Sequence, residues 1–176
     1  YYDRSLLNTR LEDFNSAMTD INNALATYAA NPNEFLQMRD LYAKRGQLNL
    51  WQKNWEGAIA DYTNSLARPE GIVSPSVYAE RAEAYTAMGN YADAVNDYTS
   101  AIRVISEQIQ GATTIEQKED LSMRAMNYFE KSAALNLSLG NAAAARSDLE
   151  SAYQIATSLN DPETVERFQG LLEEMQ

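Results

Sequence analysis

The sequence predicts an all-α chain built from repeated helix-turn-helix units, and three observations carry that prediction. First, the stretch YAKRGQLNLWQKNWEGAIADYTNSL from Tyr42 to Leu66 returns as YAERAEAYTAMGNYADAVNDYTSAI from Tyr78 to Ile102. The two lie 36 residues apart and agree at eight of 25 positions. Most other positions exchange like for like, as in Trp55/Tyr91, Ile59/Val95 and Leu66/Ile102. Second, each copy shows a 3.6 period: Ala58, Tyr62, Ser65 and Leu66 share one helix face, as do Ala94, Tyr98, Ala101 and Ile102. Third, seven Gly and four Pro in 176 residues, with almost no β-branched runs, leave little for strands.

The same skeleton recurs twice more. A first unit, over residues 1–30, opens at Tyr1 and carries Arg4, Phe14, Ala17, Asp20 and Leu25, which stand 41 residues before Tyr42's set. The second unit, 33–68, has the polar turn QKN before Trp55, and the third, 75–110, has MGN before Tyr91. A fourth unit, 114–159, supplies Phe129, Gly140, Ala145, Asp148, Leu149 and Ala152, 51 residues after the third. The excess length falls at Ser106–Asp120. It reads as an extended hairpin: helix B to about Gln110, a turn at Gly111, and a new start at Thr113 or Thr114. Thr113-x-x-Glu116 has capping-box spacing there, and Ile115 is expected to pack on the stripe of Ile102, Ile105 and Ile109. The hairpin is either a helix pair packed on itself or a second contact surface.

A last helix is expected over 162–175. Asp161 suits its cap and Pro162 its first position, and Val165, Phe168, Leu171, Leu172 and Met175 form one apolar stripe. Such a helix covers the exposed end of a stack of repeats. The other end has no equivalent. Tyr1 already occupies the opening aromatic slot of the first helix, so the natural protein is expected to extend upstream.

Four units with a large residue opening helix A and small residues at the helix crossing resemble the tetratricopeptide repeat family. The third unit is nearest to the pattern, with Tyr78, Ala82, Tyr85, Gly89, Tyr91, Ala94, Tyr98 and Ala101. The others depart: Asn8, Asn49 and Asn136 stand where Tyr85 does, and Lys53 replaces the turn glycine. The resemblance implies one solenoid over 1–176, a right-handed α-α superhelix of four repeats plus a C-terminal capping helix. The alanines let helix backbones approach while the tyrosines, with Phe14 and Trp55, fill the space between.

Composition narrows function further. Hydrophobic residues at 45% and charged residues at 22% mark a folding chain. No apolar run nears the roughly 18 residues a membrane span needs. The net charge of −11 argues against nucleic acid and against anionic lipid. It is read as surface charge that keeps the chain apart from its copies, or as a match for a basic partner. With no His and no Cys, the usual catalytic bases, nucleophiles and transition-metal ligands are absent. Neighbouring acids such as Glu119/Asp120 point about 100° apart on a helix and do not form acid/base pairs. No enzyme activity, metal or cofactor is expected, and the lack of cysteine leaves the compartment open.

Arg4, Arg45 and Arg81 recur at one place on helix A, and Asp20, Asp61, Asp97 and Asp148 at one place on helix B. One structural task per unit explains this: an ion pair or helix-end hydrogen bond between neighbouring helices. A ladder of ligand-binding arginines is the functional alternative. Ser132 breaks the set, so Asp148 needs another partner, Arg146 or water.

In the family it resembles, the A helices line a concave groove that holds a peptide. By register, the groove residues here are Tyr2 and Arg10 in the first unit and Asp40, Lys44, Gln47, Leu50 and Trp51 in the second. The third offers Glu80 and Glu83, and the fourth Asn127, Glu130 and Lys131. The chaperone-binding subfamily uses Lys, Asn and Arg as a carboxylate clamp. At those places stand Tyr2, Leu6, Lys44, Ser76 and Glu80, of which only Lys44 suits, so no clamp is expected. Trp51 is the favoured contact, since tryptophan is enriched at binding hot spots; its structural alternative is packing on the first B helix. The expected partner is a protein or peptide. Self-association through the N-terminal face or the 106–120 hairpin, and a sensor role in a longer chain, are the alternatives.

Overall fold

The computed structural model describes residues 14–29, 35–67 and 74–175. Among them run eight α-helices and no strand: α1 (Phe14–Ala29), α2 (Phe35–Trp51), α3 (Trp55–Leu66), α4 (Pro75–Ala87), α5 (Tyr91–Gly111), α6 (Ile115–Ser138), α7 (Ala142–Ser158) and α8 (Pro162–Glu174). Helix α1 is the B helix of the first repeat. The pairs α2/α3, α4/α5 and α6/α7 are the next three repeats, and α8 is the capping helix. The residues expected to form the first A helix, among them Tyr2, Arg4, Leu6 and Arg10, lie outside the described residues. By its contacts the chain forms two compact units, residues 1–73 and 74–176.

One local device makes every described A–B turn and the link from α7 to the capping helix. At Lys53, Gly89, Gly140 and Asn160 the backbone is left-handed, with φ of 59°, 78°, 76° and 53°. Each of these residues donates its N–H back to the helix it ends: Lys53 to Leu50 at 3.0 Å, Gly89 to Thr86 at 3.0 Å, Gly140 to Leu137 at 3.0 Å and Asn160 to Thr157 at 3.2 Å. The next residue donates to the carbonyl one residue earlier, as in Asn54 to Asn49 at 2.8 Å and Asn141 to Asn136 at 2.8 Å. This is the Schellman closure of a helix end. At two of these four links the Asn or Asp also caps the next helix, whereas Asn90 and Asn141 make no side-chain cap bond. Asn54 accepts from the Gly57 N–H at 3.2 Å, and Asp161 from the Thr164 N–H at 3.2 Å. At those two, a three-residue link caps two helices and turns the chain back on itself.

In the first unit the core is Ala17, Ile21, Ala24, Leu25, Leu41 and Leu48, with Phe14, Met18, Tyr28, Met38 and Tyr42 around it. Gly46 on α2 is what lets α3 close in. A Cβ there would stand 2.8 Å from Cε1 of the fully buried Tyr62. In the second unit α4, α5 and α6 enclose Ala79, Ala82, Ala94, Tyr98, Ala101, Ile105, Ala125, Tyr128 and Leu135. The Tyr98 and Tyr128 rings lie 6.2 Å apart. Helix α8 buries Phe168 completely in the cluster of Ala133, Ala145, Leu149, Ala152 and Ala156, the apolar end that a capping helix is needed to cover.

Several expectations need correction. The hairpin forms, but Gly111 ends α5 and does not make the turn, and the cap is Thr114. Its hydroxyl accepts from the Gln117 N–H at 3.2 Å, while Gln117 Oε1 accepts from the Thr113 N–H at 3.4 Å. With Thr114 as cap, Ile115 starts the helix on its outer side and is 77% exposed, so it does not pack on the isoleucine stripe. Trp55 is only partly buried and Tyr91 is exposed. Both open their B helices directly after the cap, at the rim and not in the inter-helix core. Leu171 is likewise exposed beside the buried Phe168.

Candidate interaction surface

The repeated aspartate is a structural tie. Asp61 on α3, almost fully buried, accepts from Arg45 Nε at 2.9 Å, Arg45 Nη2 at 2.6 Å and Asn49 Nδ2 at 2.8 Å, all on α2. Asp97 on α5 accepts from Arg81 Nε at 2.7 Å and Nη2 at 2.8 Å. The Asp61 hydrogen bonds hold the Arg45 guanidinium above its ordinary pKa. These arginines are turned into the A/B seam, and Arg81 also lies 5.9 Å from the Tyr85 ring centroid. Asp148 does not pair with Arg146. Asn136 Nδ2 donates to it at 3.0 Å, while Arg146 pairs with Glu150 at 3.0 Å. The asparagine four residues after the arginine slot in the second and fourth repeats was the missed signal. Asn49 and Asn136, which look like departures from a Tyr85-type position, are donors to the helix-B aspartate.

In the first unit, five of the residues selected by register lie along α2: Asp40, Lys44, Gln47, Leu50 and Trp51. Lys44 Nζ donates to Gln47 Oε1 at 2.9 Å and stands 5.7 Å from the centroid of the Trp51 ring. Trp51 is 49% exposed, with its other contact edge-on to Phe14 at 5.7 Å between centroids. Both readings of this residue thus have a geometric basis: one side touches the first B helix and the other is open. Leu50 is half-buried, and Asp40 is exposed beside Arg39 at 3.4 Å.

In the second unit the A-helix face is formed by α4 and α6. Between them opens a cavity of about 400 Å³, lined by Glu83, Thr86 and Ala87 from α4, Tyr98 from α5, and Lys131, Ala134 and Leu135 from α6. Glu83 and Lys131 pair across its mouth at 2.5 Å, each about two-fifths exposed. Glu130 is engaged elsewhere, in a two-pronged ion pair with Arg167 of α8, one bond of which is 3.1 Å long. Asn127 is exposed and Glu80 partly buried. Glu83 and Glu130, two of the acids that register places on this face, both have cationic partners, so the acids do not form an open anionic strip. Those partners lie 48 and 37 residues away in sequence, too far for periodicity to reveal.

Burial, helped by the charge of Glu83 and by Tyr128, raises the Tyr98 hydroxyl well above the ordinary tyrosine range. Among the described residues, no three acidic groups converge as a metal site would require, and no helix is long and apolar enough to cross a membrane.

No family model and no curated protein matches the sequence. Solved structures do match. The crystal structure of MamA superposes with a TM-score of 0.67 at 15% identity, covering 99% of this chain and 90% of that one. The TPR domain of Arabidopsis OM64 gives 0.56 at 17% identity, covering 81% and 99% respectively. The TPR2B domain of yeast Sti1, solved in a complex with pHsp70, gives 0.56 at 16%, covering 79% and 96%. The fold is that of the tetratricopeptide repeat.

Proposed function

We propose that this tetratricopeptide-fold chain is a non-catalytic protein-interaction module that binds a peptide, or a segment of a partner's surface, on the face lined by its A helices. The observation that carries this reading is the cavity between α4 and α6, an opening of about 400 Å³ with small and apolar walls and a few polar groups. Its size falls within the range of roughly 300–1,000 Å³ usual for ligand pockets. A polypeptide ligand also has precedent in the fold, in the Sti1 domain solved with pHsp70. Trp51, with Lys44 and Gln47 beside it, is a second anchor of the same class on the first unit's A helix.

Peptides selected from a random displayed library against the full chain provide the test. Ala134→Trp places a large side chain into the cavity from an exposed helix position and is expected to weaken the selected peptides at least tenfold, about 1.4 kcal/mol. Unchanged affinity, with the variant folded by circular dichroism, would place the binding elsewhere. A competing reading has support at the hairpin, where Ile115 is 77% and Met123 51% exposed. Self-association through it predicts a mass in light scattering that rises with concentration and falls back in Ile115→Lys.

A further inference from the structure

The floor of the α4–α6 cavity carries a polar group with no use in the fold. Tyr98 is 98% buried, since only 2% of its surface is exposed, and its hydroxyl has no hydrogen-bond partner among the described residues. A buried hydroxyl left unpaired costs about 1–3 kcal/mol, and phenylalanine would pack as well at no such cost. Glu83 is the charged residue acting most strongly on that hydroxyl. Tyr98 and Glu83 both line the cavity, and the phenol stays protonated.

The electrostatics of the site have a sign. Glu83 and Lys131 both line the mouth and offset one another there, so the sign is set by the charge around them. The unit around it, residues 74–176, holds 16 acidic against seven basic residues, a net −9, whereas residues 1–73 hold nine against seven, a net −2. The Glu83–Lys131 pair is exposed enough to be worth about 1 kcal/mol or less and to exchange partners readily. A carboxylate has about four lone-pair sites, so Glu83 takes a second donor without releasing the first. Thr86, Ala87, Ala134 and Leu135 form a sleeve suited to methylene groups and offer no fixed charge.

We infer that this cavity takes one basic side chain of the bound peptide, lysine or arginine. Its methylene stem lies along Thr86, Ala87, Ala134 and Leu135, while its cation donates hydrogen bonds to Glu83 and to the Tyr98 hydroxyl. This rests on the proposed function and deepens it by naming the chemistry of the ligand. The long amphipathic stems of Lys and Arg bury apolar length while keeping the charged end on polar partners.

The test uses the full chain labelled for NMR and four blocked amino acids as probes: the N-acetyl N-methylamides of arginine, lysine, norleucine and glutamate. The arginine and lysine probes are expected to shift the Leu135 methyl and the Thr86 and Ala134 amide signals saturably. Norleucine is expected to bind at least tenfold more weakly, the worth of about one hydrogen bond to a charged group. Glu83→Gln is expected to remove most of that preference. Tyr98→Phe, which keeps the ring and the packing, is expected to weaken the basic probes by about threefold or more, within the range for one hydrogen bond. Equal binding of norleucine and lysine, preferred binding of glutamate, or no saturable shift with any probe would overturn the inference. So would a Tyr98→Phe variant with wild-type affinity, since a water molecule then satisfies the hydroxyl. Library peptides that bind at Ala134 without basic enrichment would sink this inference and leave the peptide-binding reading intact.

Discussion

The second and third repeats match at eight of 25 positions and carry the same aspartate at the same turn of helix B, yet they hold it differently. Asp61 accepts three hydrogen bonds, two from Arg45 and one from Asn49. Asp97 accepts two from Arg81, and the residue in Asn49's place, Tyr85, lies under the guanidinium instead. The fourth repeat dispenses with the arginine and leaves Asn136 to serve Asp148. The aspartate is thus the fixed point of the seam, and its donors are exchangeable between neighbouring rungs of helix A. A second contrast concerns the crossing. The second repeat needs Gly46 under Tyr62, whereas the third accepts Ala82 under Tyr98.

The sharpest way to break this comparison is Asp61→Ala. It removes two of the three acceptors of a partly buried guanidinium and the acceptor of a buried amide, at an expected cost of about 3 kcal/mol. Asp148→Ala, losing one hydrogen bond at a partly exposed site, is expected to cost about 1 kcal/mol. Urea unfolding midpoints compare the two, and equal losses would mean that the donors do not matter. Gly46→Ala forces a Cβ into the Tyr62 ring and is expected to cost about 1–3 kcal/mol as overpacking. Ala82→Gly in the third repeat should cost about 2 kcal/mol, about 1 for helix propensity and about 0.8 for the buried methyl.

Tyr98 supplies a pH-dependent contrast. Its pKa is higher folded than unfolded, so its contribution is complete below the ordinary tyrosine pKa of about 10 and is lost as pH rises above it. Wild-type stability should therefore fall more steeply than that of Tyr98→Phe above pH 10, by up to about 1.4 kcal/mol per pH unit. Parallel slopes in alkaline thermal unfolding would contradict this. The smallest effect is at the turn. Lys53→Gly relieves a left-handed lysine and is expected to gain up to about 1 kcal/mol, less the flexibility that glycine adds to the unfolded chain.

These contrasts also mark what the sequence made legible. Helix period, the repeat and the Asn/Asp caps are local signals, and they led to the helix pairs, the position of Lys53 at the turn and the Asp161 cap. The Arg–Asp ties were legible because the spacing recurs. Lost were features that depend on which way a side chain leaves the first turn of a helix. Trp55, Tyr91 and Ile115 each start a helix directly after its cap, and hydrophobicity alone assigned them inward. Also lost were the partners that folding brings from far along the chain. Lys131 beside Glu83 and Arg167 beside Glu130 turned an apparent acidic strip into two ion pairs. Asn49 and Asn136 were visible only as departures from a pattern, although their spacing from the arginine slot was regular.

Hydrogen exchange of the full chain, with and without a library-selected peptide, addresses the central claim most directly. Binding on the A-helix face predicts added protection along α4 near Thr86 and Ala87 and along α6 near Ala134 and Leu135, with the outer α7 unchanged. Protection confined to the hairpin around Ile115 and Met123, or no change along α4 and α6, would contradict the account.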